Sequence, residues 1–215
     1  VFGLALVASL ALAGLAAGSA SALSFSRSIE AVGSGGQFTF AAAGQPTNSC
    51  SSSELYLRTT SSTGGEIKNA RLRGCKMLIF GFTTNCTTPG QPIAGTIALS
   101  NMKFSLVYLD AAKTKFGMKL DPISGPVAEF TCGGAYSYKW TGSILGQIVK
   151  PPLNVFTATT TLKFAAEGSS QNYQQIEGAG TKYHLYQTPK EGTPVDLGVT
   201  AENTFESVSG FEYLP

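Results

Sequence analysis

Apolar side chains recur at every second position along most of this chain, and few folds accept that period. Residues 115–120 show it most cleanly. Phe116, Met118 and Leu120 fall on one side, and Lys115, Gly117 and Lys119 on the other. A strand turns successive side chains to opposite faces, whereas a helix repeats every 3.6 residues. The same alternation joins Phe38 to Phe40, Leu55 to Leu57, and Met102, Phe104, Leu106 and Tyr108. Further strands are predicted before Cys75 (Ile67, Ala70, Leu72) and over 93–99, 127–132, 136–144, 155–165, 182–186, 195–201 and 204–211. The wholly apolar run 77–82 (MLIFGF) reads as a short buried strand.

Gly, Pro and Asp clusters separate these runs: Thr63-Gly64-Gly65, Thr88-Pro89-Gly90, Asp121-Pro122, Gly133-Gly134 and Pro151-Pro152. Short strands about ten residues apart, with turns between them, predict an all-β domain, as an antiparallel β-sandwich or alternatively a closed β-barrel. The polar stretch 167–179 is the longest expected loop. Only 13% of residues are charged and the net charge is +2. Disordered charged tails, coiled coils and electrostatic nucleic-acid binders all need more charge than this.

Residues 1–17 are uncharged and apolar, and Ala20-Ser21-Ala22 follows with the small-x-small pattern of a signal-peptidase site. The expected organisation is therefore an N-terminal signal-peptide helix over 1–22, lacking its start, and a single secreted β domain over 23–215. The mature part contains no second apolar run of spanning length. It does contain all four cysteines, and an even number in an exported chain reads as two disulfides. Of the three connectivities, Cys75–Cys86 with Cys50–Cys132 is preferred, because it closes one short local loop and ties an early strand to a late one. No CxxC spacing is present, and the single histidine cannot complete a usual zinc set. No metal or cofactor is expected.

Several short motifs occur in order: Gly74-Cys75, Cys86-Thr87-Thr88-Pro89-Gly90, Ala94-Gly95-Thr96-Ile97 and Gly117-Met118-Lys119-Leu120-Asp121-Pro122. They continue with Glu129-Phe130-Thr131-Cys132-Gly133-Gly134, Gly142 to Ile148 (GSILGQI) and Asn154. Taken together they resemble a group of secreted, β-rich proteins common in actinobacteria. The resemblance covers most of 50–164. It implies export, four paired cysteines and a β domain, and it carries over no catalytic residue because the group has no established activity.

The residues that could carry chemistry are few. His184, the only histidine, would have to serve any Ser-His-Asp machinery, and no nucleophile elbow accompanies it. Asp110, Asp121 and Glu129 are candidate carboxylates for a glycosidase pair, though Asp is equally at home closing turns. Lys68, Arg71, Arg73 and Lys76 form a basic cluster around Cys75 that could meet an anionic polymer. Tyr136, Tyr138 and Trp140 stand at i, i+2 and i+4, so a strand points all three rings to one face. Exposed, that face is a platform for sugar rings; turned inward, it is core.

A non-enzymatic, secreted or envelope-associated binding or structural module is the expected function. Its candidate partner is cell-wall polysaccharide or another envelope component, with no nucleic acid. A secreted polysaccharide hydrolase with two carboxylates is one alternative. A carrier holding a small apolar ligand inside a barrel is the other, and it requires a cavity of several hundred Å³.

Overall fold

The structure, a computed structural model, describes residues 23–171 and 183–215. The expected signal peptide at 1–22 and residues 172–179 of the expected loop lie outside the described residues. The described chain contains strands and turns and no helix. In chain order the first strands are β1 (Ser24–Phe25), β2 (Glu30–Gly35), β3 (Phe38–Ala42), β4 (Asn48–Cys50), β5 (Ser52–Ser61), β6 (Gly64–Arg73), β7 (Lys76–Ile79), β8 (Phe82–Thr87), β9 (Ile97–Ala98) and β10 (Met102–Tyr108). There follow β11 (Phe116–Pro122), β12 (Ala128–Cys132), β13 (Tyr136–Gly142), β14 (Ile144–Lys150), β15 (Thr157–Phe164), β16 (Ala166–Glu167), β17 (Ser170–Gln171), β18 (Leu185–Pro189), β19 (Val195–Phe211) and β20 (Tyr213–Leu214).

The antiparallel ladders close on themselves, so the alternative of a closed barrel is the architecture, not the open-edged sandwich. Eight strands form the first ring in the order β2, β5, β6, β10, β11, β14, β15, β19, and β19 returns to β2. The outer pairings close a second circuit through β3, β4, β7, β8, β12, β13 and β18, again returning to β19. The reason for closure is visible in β19. It is long enough to pair β18 and β3 with its first half and β15 and β2 with its second. Closure leaves no row of unpaired N–H and C=O groups along these edges.

Four chain segments pass from one ring to the other by bending rather than turning back: β2 into β3, β4 into β5, β6 into β7 and β13 into β14. At the last bend Gly142 has φ 104°. A Cβ there would stand 2.2 Å from the carbonyl oxygen of His184, so only glycine fits. The sequence reading of one strand over 136–144 missed this bend.

β19 joins two segments that the sequence reading separated at Glu202-Asn203. The polar Asn203 does not break the strand because it points inward and accepts a hydrogen bond from the Ser53 hydroxyl at 2.7 Å. A second correction concerns 93–99, where only Ile97–Ala98 is strand. The largest correction is 77–82. It is not one buried strand but the end of a hairpin, with β7 and β8 joined at Phe80-Gly81.

The disulfides also differ from the expected pairing: they are Cys50–Cys75 and Cys86–Cys132. Cys75 and Cys86 are neighbours across the β7–β8 ladder, and the Cys86 amide donates to the Cys75 carbonyl at 2.9 Å. Such hydrogen-bonded pairs hold their Cα atoms about 5.5 Å apart. Each cysteine instead joins the strand on its other side, where the Cα separations are 3.9 and 4.0 Å. Nearness in sequence favoured the wrong partner because each of these two cysteines also faces a cysteine on the strand at its other side, and spacing along the chain does not record that second neighbour.

One apolar core runs through both rings. The first ring is filled by Leu57, Ile67, Phe104, Met118, Leu162 and Phe205. One end of it is covered by β1 paired with β20, whose Phe25 and Tyr213 rings pack 5.3 Å apart against Phe104 and Phe116. The Tyr213 phenol is buried, which pushes its ionisation far up, and it bonds Thr160 at 3.0 Å. Between the rings, Phe40, Leu72, Met102, Trp140, Phe164 and Val199 surround a cavity of about 30 Å³. That is room for about one water molecule, far below the several hundred Å³ that a carrier would use.

Candidate functional site

Alternation does place Tyr136, Tyr138 and Trp140 on one face of β13, but that face turns inward. Trp140 is fully buried. Its ring stacks on Phe40 at 4.2 Å and meets Phe130 edge-on at 4.8 Å, and its indole N–H donates to Gln187 Oε1 at 2.9 Å. Tyr138 is buried beside Phe130, and desolvation raises its phenol above the usual range. The three rings therefore form no exposed platform. Only Tyr136, at the start of the strand and beyond the rim of the core, keeps 43% of its surface exposed.

Tyr136 has a different companion, which the sequence reading missed. The Phe80 ring lies edge-on to it at 6.2 Å. Phe80 is 85% exposed, Phe82 78% and Leu78 57%, so the apolar end of the β7–β8 hairpin stands in solvent. The ladder pairs Ile79 with Phe82, which leaves a two-residue turn of Phe80 (φ 48°) and Gly81 (φ 83°). Two positive φ values are the mark of a type I′ turn, whose first central position favours Asn, Asp or Gly. Phenylalanine there holds a left-handed backbone at a cost of about 1–2 kcal/mol. Because the side chain is exposed, internal packing returns little of that energy. The sequence signal was Gly81 within an apolar run, which marks a turn more readily than a buried strand.

This strain gives a direct test. Phe80→Asn should raise the unfolding free energy by about 1 kcal/mol, because asparagine tolerates the left-handed region. Urea denaturation of the two proteins reads the difference, and an unchanged or lowered midpoint would remove the strain argument.

The hairpin is fixed at its base on both strands. Cys75 immediately precedes β7 and is bonded to Cys50, and Cys86 on β8 is bonded to Cys132 on β12. Tyr136 follows Cys132 across the Gly133-Gly134 turn, and the two residues are ladder partners. One disulfide therefore ties together the two turns that present Phe80 and Tyr136. Neither 77–87 nor 130–138 contains a charged residue.

The remaining candidates are separated and engaged elsewhere. Asp110 closes its own turn by accepting from the Lys115 amide, the Thr114 hydroxyl and the Thr114 amide, which lowers its pKa. Asp121 accepts from the Ser143 hydroxyl at 2.6 Å and pairs with Lys119 at 3.2 Å. Glu129 pairs with Lys139 at 2.7 Å. An open groove of about 370 Å³ crosses β12, β13 and β18, and among its described lining residues Glu129 is the one carboxylate. His184 stacks on Tyr186 and bonds Asp196 Oδ1 at 3.0 Å. The Ser143 amide donates to the His184 carbonyl at 3.0 Å, but the Ser143 hydroxyl donates to Asp121, so this serine does not join His184 and Asp196 in a Ser-His-Asp relay. In the basic cluster, Arg73 bonds Glu54 at 2.8 Å, holding that carboxyl below its usual range, and Lys68 pairs with Glu66. That leaves Arg71 and Lys76 exposed on the outer face. Among the described residues no group of His, Cys, Asp and Glu is placed to hold a metal ion, and no helix is long and apolar enough to cross a membrane.

The sequence matches no family model and has no similar curated protein or solved structure.

Proposed function

We propose that the protein is a secreted, envelope-associated binding module that makes contact through the tip of its second ring. The observation that carries this reading is Phe80, an aromatic residue held at φ 48° and 85% exposed at the end of a tight turn. Backbone strain at an exposed apolar residue weakens the free domain, and strained residues of this kind concentrate at binding sites. Phe82, Leu78 and Tyr136 extend the exposed apolar surface around it, and such surfaces mark interaction sites. Two disulfides, which persist in oxidising compartments, support an extracellular location. The signal-like segment 1–22 and the resemblance to secreted actinobacterial proteins agree with it.

Binding to isolated cell envelopes of an actinobacterium tests the proposal. The wild-type protein should sediment with envelopes, and a Phe80→Asn/Phe82→Ser variant should bind at least tenfold more weakly, since each phenylalanine contributes about 1.5 kcal/mol or more when buried. Equal sedimentation of a folded variant would reject the tip as the contact.

A further inference from the structure

We propose that the occupant of this tip is the interfacial layer of a lipid bilayer, which Phe80, Phe82 and Leu78 enter; the inference rests on the binding reading above. The first argument is the direction of the side chains. Leu78 alternates with the buried Met77 and Ile79, so it faces outward from the ring. Phe82 stands directly opposite Ile79 in the ladder, so it shares the inward face but lies beyond the core and is exposed. Apolar side chains thus project from both faces of one hairpin, with Phe80 at its end. A partner with a flat surface covers one face of a hairpin. A fluid apolar medium surrounds both.

The second argument is the absence of charge. Residues 77–87 and 130–138 make up the outer part of the hairpin and its flanking turn, and no Asp, Glu, Lys or Arg occurs in either; Lys76, the first residue of β7, lies at the base of the hairpin. Nothing charged must be dehydrated when the tip leaves water. Tyr136 beside Phe80 carries a ring and a phenol, the combination that settles where hydrocarbon meets headgroups. The exposed polar groups nearest the rings, Thr83 opposite Leu78 and Asn85 further down β8, lie on the side of the hairpin toward its base, while the side chains that project farthest, Leu78, Phe80 and Phe82, are wholly apolar.

The third argument is dimension. Leu78 and Phe80 are two residues apart, about 7 Å along a strand. Interfacial apolar segments descend about 5–10 Å into the bilayer. The disulfides Cys50–Cys75 and Cys86–Cys132 hold the hairpin's base, so the tip is already shaped before contact.

Flotation of the purified protein with phosphatidylcholine vesicles, with and without added phosphatidylglycerol, tests the inference. The protein should float equally with both kinds of vesicle and equally at low and high salt, and the Phe80→Asn/Phe82→Ser variant should float at least tenfold less. A Phe80→Trp variant supplies a second readout. Trp140 is fully buried, so the new tryptophan should alone shift its emission to the blue and lose acrylamide quenching when vesicles are added. Flotation only with phosphatidylglycerol, and its loss in salt, would replace the tip with a charge-driven contact through Arg71 and Lys76. Tip-dependent dimers in sedimentation without lipid would make a second copy the occupant. Absent flotation, with tip-dependent envelope binding intact, would overturn the lipid assignment and leave the binding module standing. Envelope binding that ignores the tip would overturn both.

Discussion

Trp140→Ala should lower the unfolding free energy by about 4–5 kcal/mol. Replacing a fully buried tryptophan removes its transfer free energy and leaves a cavity, which together cost about 3–5 kcal/mol. Here the ring also joins Phe40 to Phe130, and its N–H occupies the buried carbonyl oxygen of Gln187. Leaving that acceptor unpaired adds about 1 kcal/mol or more. Tyr136→Ala is the matched control: it lies four residues earlier on the same strand face and should change stability by less than about 0.5 kcal/mol. Urea unfolding of the three proteins measures both values. Similar losses for the two variants would contradict the inward turn of this face.

The disulfide pairing leads to the second large effect. Chain closure assigns roughly 3.5 kcal/mol to the Cys50–Cys75 link, which spans 25 residues, and about 4 kcal/mol to Cys86–Cys132, which spans 46. A domain of this size is stable by only about 5–15 kcal/mol. Cys86→Ala/Cys132→Ala should therefore retain a fold but lose about 4 kcal/mol, and reduction of both links should bring the chain close to unfolding under mild conditions. Peptide mapping checks the connectivity first. Basic residues separate every pair of cysteines, so tryptic digestion of the unreduced protein should release Cys50 linked to Cys75 and Cys86 linked to Cys132. Recovery of a Cys75–Cys86 link would refute the arrangement.

The strands were legible wherever one side of the ladder meets the core and the other meets water. Residues 116–120 are the clear case, with Phe116, Met118 and Leu120 buried as alternation requires. β2 was not legible because its sequence EAVGSG is small and polar, and its place in the ring comes from its neighbours β5 and β19 rather than from its own pattern. Closure was not legible either. It depends on β19 having partners on both sides, and alternation records which face is buried without recording how many edges are paired. At the candidate site, the period of two correctly grouped Tyr136, Tyr138 and Trp140 but could not say which way they face. The rim of the ring cuts across that group, so Tyr136 belongs to the surface and Trp140 to the core. Phe80 was hidden for the opposite reason. Apolar residues are usually inside, and a run of them reads as buried unless the turn that carries them outward is recognised.

β19 also sets the order of events by which this protein can form. It is the strand shared by both circuits, and Val195–Phe211 follows nearly every other strand in the chain. Until it arrives, β2 and β15 of the first ring and β3 and β18 of the second have no partner on their facing edges, and neither barrel wall can shut. A polypeptide emerging from its amino end must therefore travel as an open curl, and it acquires its closed form only after its late residues are delivered. Contacts so distant along the chain make for slow assembly. They also tie the two walls to a single event, because the one strand that completes the first circuit completes the second.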